Sequence, residues 1–202
     1  ADLEASSRAL LLWRSDNTCD MVGDNPNVIL MAAIKNQVMS AGLNRYMPYS
    51  VVGQMGSDPY RFRSGFNGGI DFAQDTRAAD YPREELKKAI AEGKRLRRFW
   101  SGDFYTLSDV TINPRDWCVM QYHLPESDEG IVLAFRRHQS PYSGYDCHLR
   151  AIDPRATYSV TFSQTYEPVK PVILSGAALR DMNLMVEAMP GVVLVEYKKS
   201  HD

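Results

Sequence analysis

Trp13, Arg14, Asp16 and Asn17 stand within one short run of this 202-residue chain, Trp13-Arg14-Ser15-Asp16-Asn17-Thr18. An indole offers a flat apolar surface to one face of a sugar ring. A carboxyl group can give and take a proton. Arginine and amide side chains hold hydroxyls or orient the carboxyl. The run begins where the apolar stretch 9–13 ends. In parallel α/β folds, ligands bind beyond the carboxyl ends of the strands. The same residues also read as a simple Asp/Asn/Thr turn that caps the next helix.

Other chemistry finds less support. Asp16, Asp20 and Asp24 have the spacing of a calcium loop, but position 6 is Met21 instead of Gly and position 12 is Asn27 instead of Glu. His123, His138 and His148 fall on separate strand-like runs, which does not suit a metal centre. The chain has no GxSxG, HExxH, P-loop or GxGxxG motif. The glycine-rich stretch 65–69 lacks the Lys-Ser/Thr of a phosphate loop and reads as a tight turn. No cofactor and no metal is expected.

The balance of 23 basic and 25 acidic residues gives a net charge of −2. Nucleic-acid recognition wants a basic face, so no such partner is expected. The densest basic cluster, Lys94, Arg95, Arg97 and Arg98, reads as a solvated helix end. No apolar run approaches the ~18–20 residues that cross a bilayer. Three cysteines without CxxC spacing lean towards a reducing, cytoplasmic compartment.

The elements that must position the 13–18 run divide near residue 105. Residues 1–105 read as α/β. Strands are expected at 9–13, 46–52 and 69–73. Helices are expected at 28–43, 58–66 and 82–100. In the 28–43 helix the apolar residues Val28, Ile29, Met31, Ala32, Ile34, Val38, Met39 and Ala41 are expected to be buried. The 82–100 helix recurs with Leu86, Ala89, Ile90, Leu96 and Trp100 on one face. At ~30 residues per strand–helix unit of a (β/α)8 barrel, this region holds about three units.

Residues 106–202 change character. Short strand-like runs at 117–123, 131–136, 145–150, 157–162, 182–188 and 192–198 alternate with proline and glycine turns, as in an antiparallel β-sandwich. Trp117, Tyr122, Tyr142 and Tyr145 could form an aromatic platform for carbohydrate, or serve equally as core.

The run 8–18 resembles a sequence block of the family 36 glycoside hydrolases, the α-galactosidases of the melibiase group. So do Asp58-Pro59-Tyr60-Arg61-Phe62-Arg63-Ser64, then Phe99-Trp100-Ser101-Gly102-Asp103-Phe104-Tyr105, and then the stretches around 117–123 and 129–137. The resemblance implies the last three βα units of a (β/α)8 barrel followed by a C-terminal antiparallel sandwich. It implies hydrolysis of terminal α-galactosides with retention, on oligosaccharides or glycoconjugates. Asp16 would be the general acid/base, with Trp13, Arg14 and Asn17 binding substrate. Retention needs a second carboxylate ~5–5.5 Å away as nucleophile. In the family it lies in a Lys-x-Asp-like motif on an earlier strand, and this chain has no Lys-x-Asp. The resemblance therefore implies a C-terminal fragment, inactive alone, whose partners are the missing N-terminal part of the same polypeptide and, as in other family members, further copies in a homo-oligomer. The rival expectation is a sandwich that serves as a carbohydrate-binding or purely structural module.

Overall fold

The computed structural model describes residues 13–14, 26–46, 50–51, 53–54, 56–66, 71–72 and 77–200. In chain order the first elements are β1 (Trp13–Arg14), α1 (Pro26–Leu43), β2 (Ser50–Val51), β3 (Gly53–Gln54), α2 (Pro59–Ser64), β4 (Asp71–Phe72) and α3 (Arg83–Leu96). The strands here are short and parallel: β1 pairs with β2 (Trp13 opposite Ser50, Arg14 opposite Val51), and β3 pairs with β4. Parallel neighbours need a crossover connection, and α1 lies in the chain between β1 and β2 as α2 lies between β3 and β4.

A 3-10 turn (Arg97–Ser101) then leads into β5 (Asp103–Thr106), β6 (Cys118–Leu124), β7 (Glu129–Arg136), β8 (Gly144–His148), β9 (Thr157–Ser163), β10 (Val172–Ser175), α4 (Gly176–Arg180), β11 (Asp181–Met185) and β12 (Gly191–Lys199). Six of these strands form one antiparallel sheet in the order β10-β9-β12-β7-β6-β5, and β8 and β11 form a two-stranded sheet. The protein is thus mostly antiparallel sheet with few helices.

The large sheet is covered on both faces, so its central strands β6 and β7 are buried almost throughout instead of alternating. On one face Met120 and Tyr122 of β6, Ile131, Leu133 and Phe135 of β7 and Leu194 of β12 pack with Phe62, Phe66, Ala89, Leu96, Phe99 and Trp100 from the helical region. On the other face Val119, Val132, Ala134, Val193 and Val195 pack with Cys147 and Leu184 of the small sheet and Tyr158 and Val160 of β9. Each fully buried Val, Leu, Ile, Phe or Met side chain among them contributes about 1.5–3 kcal/mol by leaving water. Tyr197 of β12 stands opposite Gly130 of β7, and a Cβ at residue 130 would lie 2.2 Å from the Tyr197 hydroxyl oxygen. Only glycine fits that approach.

The local chemistry explains the helices. Asp58 caps α2 by accepting the Arg61 backbone N–H at 3.0 Å, with Pro59 at the first helical position. Glu84 and Glu85 occupy the first turn of α3 and Lys94 and Arg95 its last, as the helix dipole favours. No helix among the described residues is long and apolar enough to cross a membrane.

Several expectations need correction. The strand expected from residue 46 begins later, because Tyr46 lies in an exposed turn after α1. Strands β5 and β10 were not anticipated: β10 is a four-residue edge strand whose Val172 and Ile173 are exposed, so no alternation marks it. The burial of α1 also differs. Val38 and Met39 are half-buried, whereas the polar residues Asn36, Gln37, Ser40 and Asn44 are buried. The helix expected over 82–100 ends at Leu96 and continues as a 3-10 turn; of its expected face Ala89, Leu96 and Trp100 are buried, Leu86 packs against the same core and Ile90 is half-buried.

Candidate functional site

Trp13 and Arg14 form the whole of β1, in parallel register with Ser50 and Val51. Asp16 and Asn17 follow two and three residues after the strand and lie outside the described residues. The backbone of 13–14 therefore lies in a short parallel strand pair.

Among the described residues, much of what holds the helices is polar. Arg63 of α2 is 1% exposed and meets Glu92 of α3, itself 8% exposed, through two hydrogen bonds of 2.8 Å from Nε and Nη2. Its Nη1 also donates to the Ser163 carbonyl at 2.8 Å and Nη2 to the Thr165 carbonyl at 2.9 Å. One guanidinium thus joins two helices to the end of β9. Gln37 of α1 donates to Ser64 Oγ of α2 at 3.0 Å and accepts from Arg137 Nε at 2.9 Å. Asn44 donates to the Tyr122 hydroxyl at 2.6 Å, tying the end of α1 to β6.

The basic cluster at the end of α3 departs from the expected solvated end. Arg95 forms a bidentate pair with Glu196 of β12 and Arg98 with Glu129 of β7, while Lys94 and Arg97 remain exposed. The Arg98 guanidinium holds the Glu129 carboxyl far down, to about 2. Two of the four cations therefore fasten helix to sheet.

The aromatic platform separates into parts. Trp117 and Tyr122 are buried, and Tyr145 is half-buried with its hydroxyl donating to the Leu107 carbonyl at 2.7 Å. Tyr142 alone of the four is exposed, at 72%. His123 lies beside the Tyr197 hydroxyl at 3.1 Å, and burial lowers its pKa. His148 pairs with Asp181 on the small sheet. Among the described residues no group of three His, Cys, Asp or Glu could hold a metal ion.

No family model matches the chain, and neither does any curated protein. Solved structures do match. The galactosidase domain of the α-galactosidase–sucrose kinase AgaSK superposes with a TM-score of 0.64 at 16% identity, over 83% of this chain and 25% of that one. A variant of the family 36 α-galactosidase AgaA from Geobacillus stearothermophilus, solved with raffinose, gives a TM-score of 0.65 at 14% identity over 83% of this chain and 24% of that one. Another AgaA variant, solved with stachyose, gives 0.66 at 15% identity over the same shares. This chain has the fold of the C-terminal part of the family 36 α-galactosidases. It spans about a quarter of the length of those structures.

Within that α-galactosidase-like fold, the positioning residues Arg63, Glu92, Gln37 and Arg137 escaped the sequence reading. The signal for one of them was present. Asn36, Gln37, Ser40 and Asn44 recur at helical spacing and mark a buried polar face on α1. Arg63 sits in the 58–64 stretch that carried the family resemblance, and its clamp gives that stretch a structural reason.

Proposed function

We propose that the chain is the C-terminal portion of a retaining α-galactosidase. Residues 1–105 supply the last strand–helix units of its (β/α)8 barrel, and residues 106–202 supply its C-terminal sandwich. The observation that carries the reading is the likeness to family 36 α-galactosidases over 83% of the chain. The parallel register of Trp13–Arg14 with Ser50–Val51 adds to it, because successive strands of such a barrel pair in parallel.

In this reading Asp16 is the general acid/base. It protonates the glycosidic oxygen as the leaving group departs, then takes a proton from the water that releases galactose. Trp13 presents its ring to the sugar, and Arg14 and Asn17 hold hydroxyls. The nucleophilic carboxylate comes from a part of the polypeptide that this chain does not contain. Terminal α-galactosides of oligosaccharides or glycoconjugates are the substrates, with no cofactor. The helices α1, α2 and α3 are held on the sandwich by Asn44, Gln37, Arg63, Arg95 and Arg98, so the sandwich buttresses the helical region.

The purified chain is expected to hydrolyse an aryl α-galactoside no faster than buffer does. Turnover by the chain that Asp16→Asn abolishes would overturn the expectation that the chain is inactive alone.

A further inference from the structure

We propose that the cleft between residues 108–117 and 140–146 is a saccharide-binding site, with Tyr142 as its stacking surface. The proposal uses none of residues 13–17, so it stands apart from the glycosidase reading. The cleft has a volume of about 490 Å³ and is lined by Asp109, Arg115, Asp116, Tyr142, Tyr145 and Asp146, among others. That volume lies within the ordinary range for small-molecule sites.

Tyr142 is exposed, yet its main chain is fixed. Its carbonyl oxygen accepts from Trp117 Nε1 and from Ser140 Oγ, each at 3.3 Å. The facing wall is fixed to the same loop. Arg137 Nη1 donates to the Asn113 carbonyl at 2.8 Å and the Thr111 carbonyl at 2.9 Å, and Gln139 N donates to the Pro114 carbonyl at 3.1 Å. A ring displayed on a backbone already ordered loses little entropy when a ligand stacks on it. Below it, Trp117 and Tyr145 form a tilted ring pair with centroids 5.6 Å apart, which closes the floor.

The polar groups supply the other half of sugar recognition. Asp116 is set in place by Thr111 Oγ1 at 2.7 Å and Asn113 Nδ2 at 3.2 Å, and Asp146 by Asn183 Nδ2 at 2.8 Å. The charged ends of Asp109 and Arg115 make no hydrogen bond or ion pair with the described residues. Carboxylates accept from hydroxyls and a guanidinium donates to them. Three carboxylates disfavour an anionic ligand, and their number disfavours an apolar one. An aromatic face among fixed acceptors with one free donor suits a neutral saccharide.

The test is a titration of the full chain with raffinose, stachyose and a neutral glucan oligosaccharide, followed by backbone amide shifts. The expected result is saturable shifts centred on 108–117 and 140–146 with at least one of them. Tyr142→Ala should raise Kd about tenfold, and Tyr142→Phe should leave it near the parent value. Both changes are on an exposed ring and leave the remaining spectrum as a check of folding. Absence of saturable binding by all three sugars would overturn the proposal, as would binding that Tyr142→Ala leaves unchanged. Shifts lost on Asp16→Asn but kept in Tyr142→Ala would assign the binding to the glycosidase residues instead.

Discussion

Arg63 and Glu92 form a buried, bidentate ion pair that joins α2 to α3. Neither group has water to fall back on, so removing one partner strands the other. Glu92→Gln or Arg63→Met is expected to cost about 3–5 kcal/mol in urea unfolding. The exposed Lys87–Glu84 pair is the control, and Glu84→Ala should cost less than about 0.5 kcal/mol. Equal losses at the two sites would contradict this account of the helix–sheet junction.

The Asn44–Tyr122 hydrogen bond should behave as a shared term between α1 and β6. Burial pushes the Tyr122 phenol well above its usual pKa, so it stays a neutral partner for the amide. Tyr122→Phe leaves the amide without this buried acceptor and is expected to cost about 1–2 kcal/mol. A double-mutant cycle with Asn44→Ala should give a coupling energy of at least about 0.5 kcal/mol. Simple additivity of the two changes would remove the bond from the account.

Two groups set opposite ends of a pH profile. Arg98 depresses the Glu129 pKa to about 2, so the stability from this carboxylate is complete above its unfolded value of about 4.3 and is lost as pH falls towards 2. Burial depresses the His123 pKa, so protons favour the unfolded chain below its unfolded value of about 6.5. Urea midpoints measured against pH should fall in both windows. His123→Gln should make the upper window shallower, which His138 shares, and Glu129→Gln the lower, which Asp153 and Asp181 share. A parent profile parallel to both variants would show that neither group is coupled to folding.

Cys118 and Cys147 are buried thiols whose pKa values burial raises to about 11 and about 12. The thiolate is the reactive form. Both should resist alkylation in the native chain and react on unfolding in urea, as read by peptide mass spectrometry. Rapid native labelling of either would contradict its placement in the core.

The strands β6, β7, β9 and β12 were legible because β6, β7 and β12 are largely apolar runs and β9 alternates polar and apolar residues, with proline and glycine turns between them. The edge strand β10 was not, because exposed Val172 and Ile173 follow two prolines that read as a turn. The junction was hidden for another reason. Arg63 meets Glu92 across 29 residues and Arg137 meets Gln37 across 100. Charged side chains are mostly exposed, and local sequence gives no sign of a distant partner that lets them be buried. Of the 13–18 run, Trp13 and Arg14 are the part that the structure describes, as a strand paired in parallel with Ser50 and Val51.

The most direct test of the central claim is a leaving-group comparison in a longer polypeptide that joins this chain to the proposed nucleophile-bearing part of the barrel. A general acid matters most when the departing group is a poor one. Asp16→Ala should lower kcat/KM for raffinose by about 10²–10⁴, and lower the glycosylation rate for an aryl α-galactoside with a strongly acidic phenol far less. Kinetics of Asp16→Ala equal to the parent on raffinose would contradict the account.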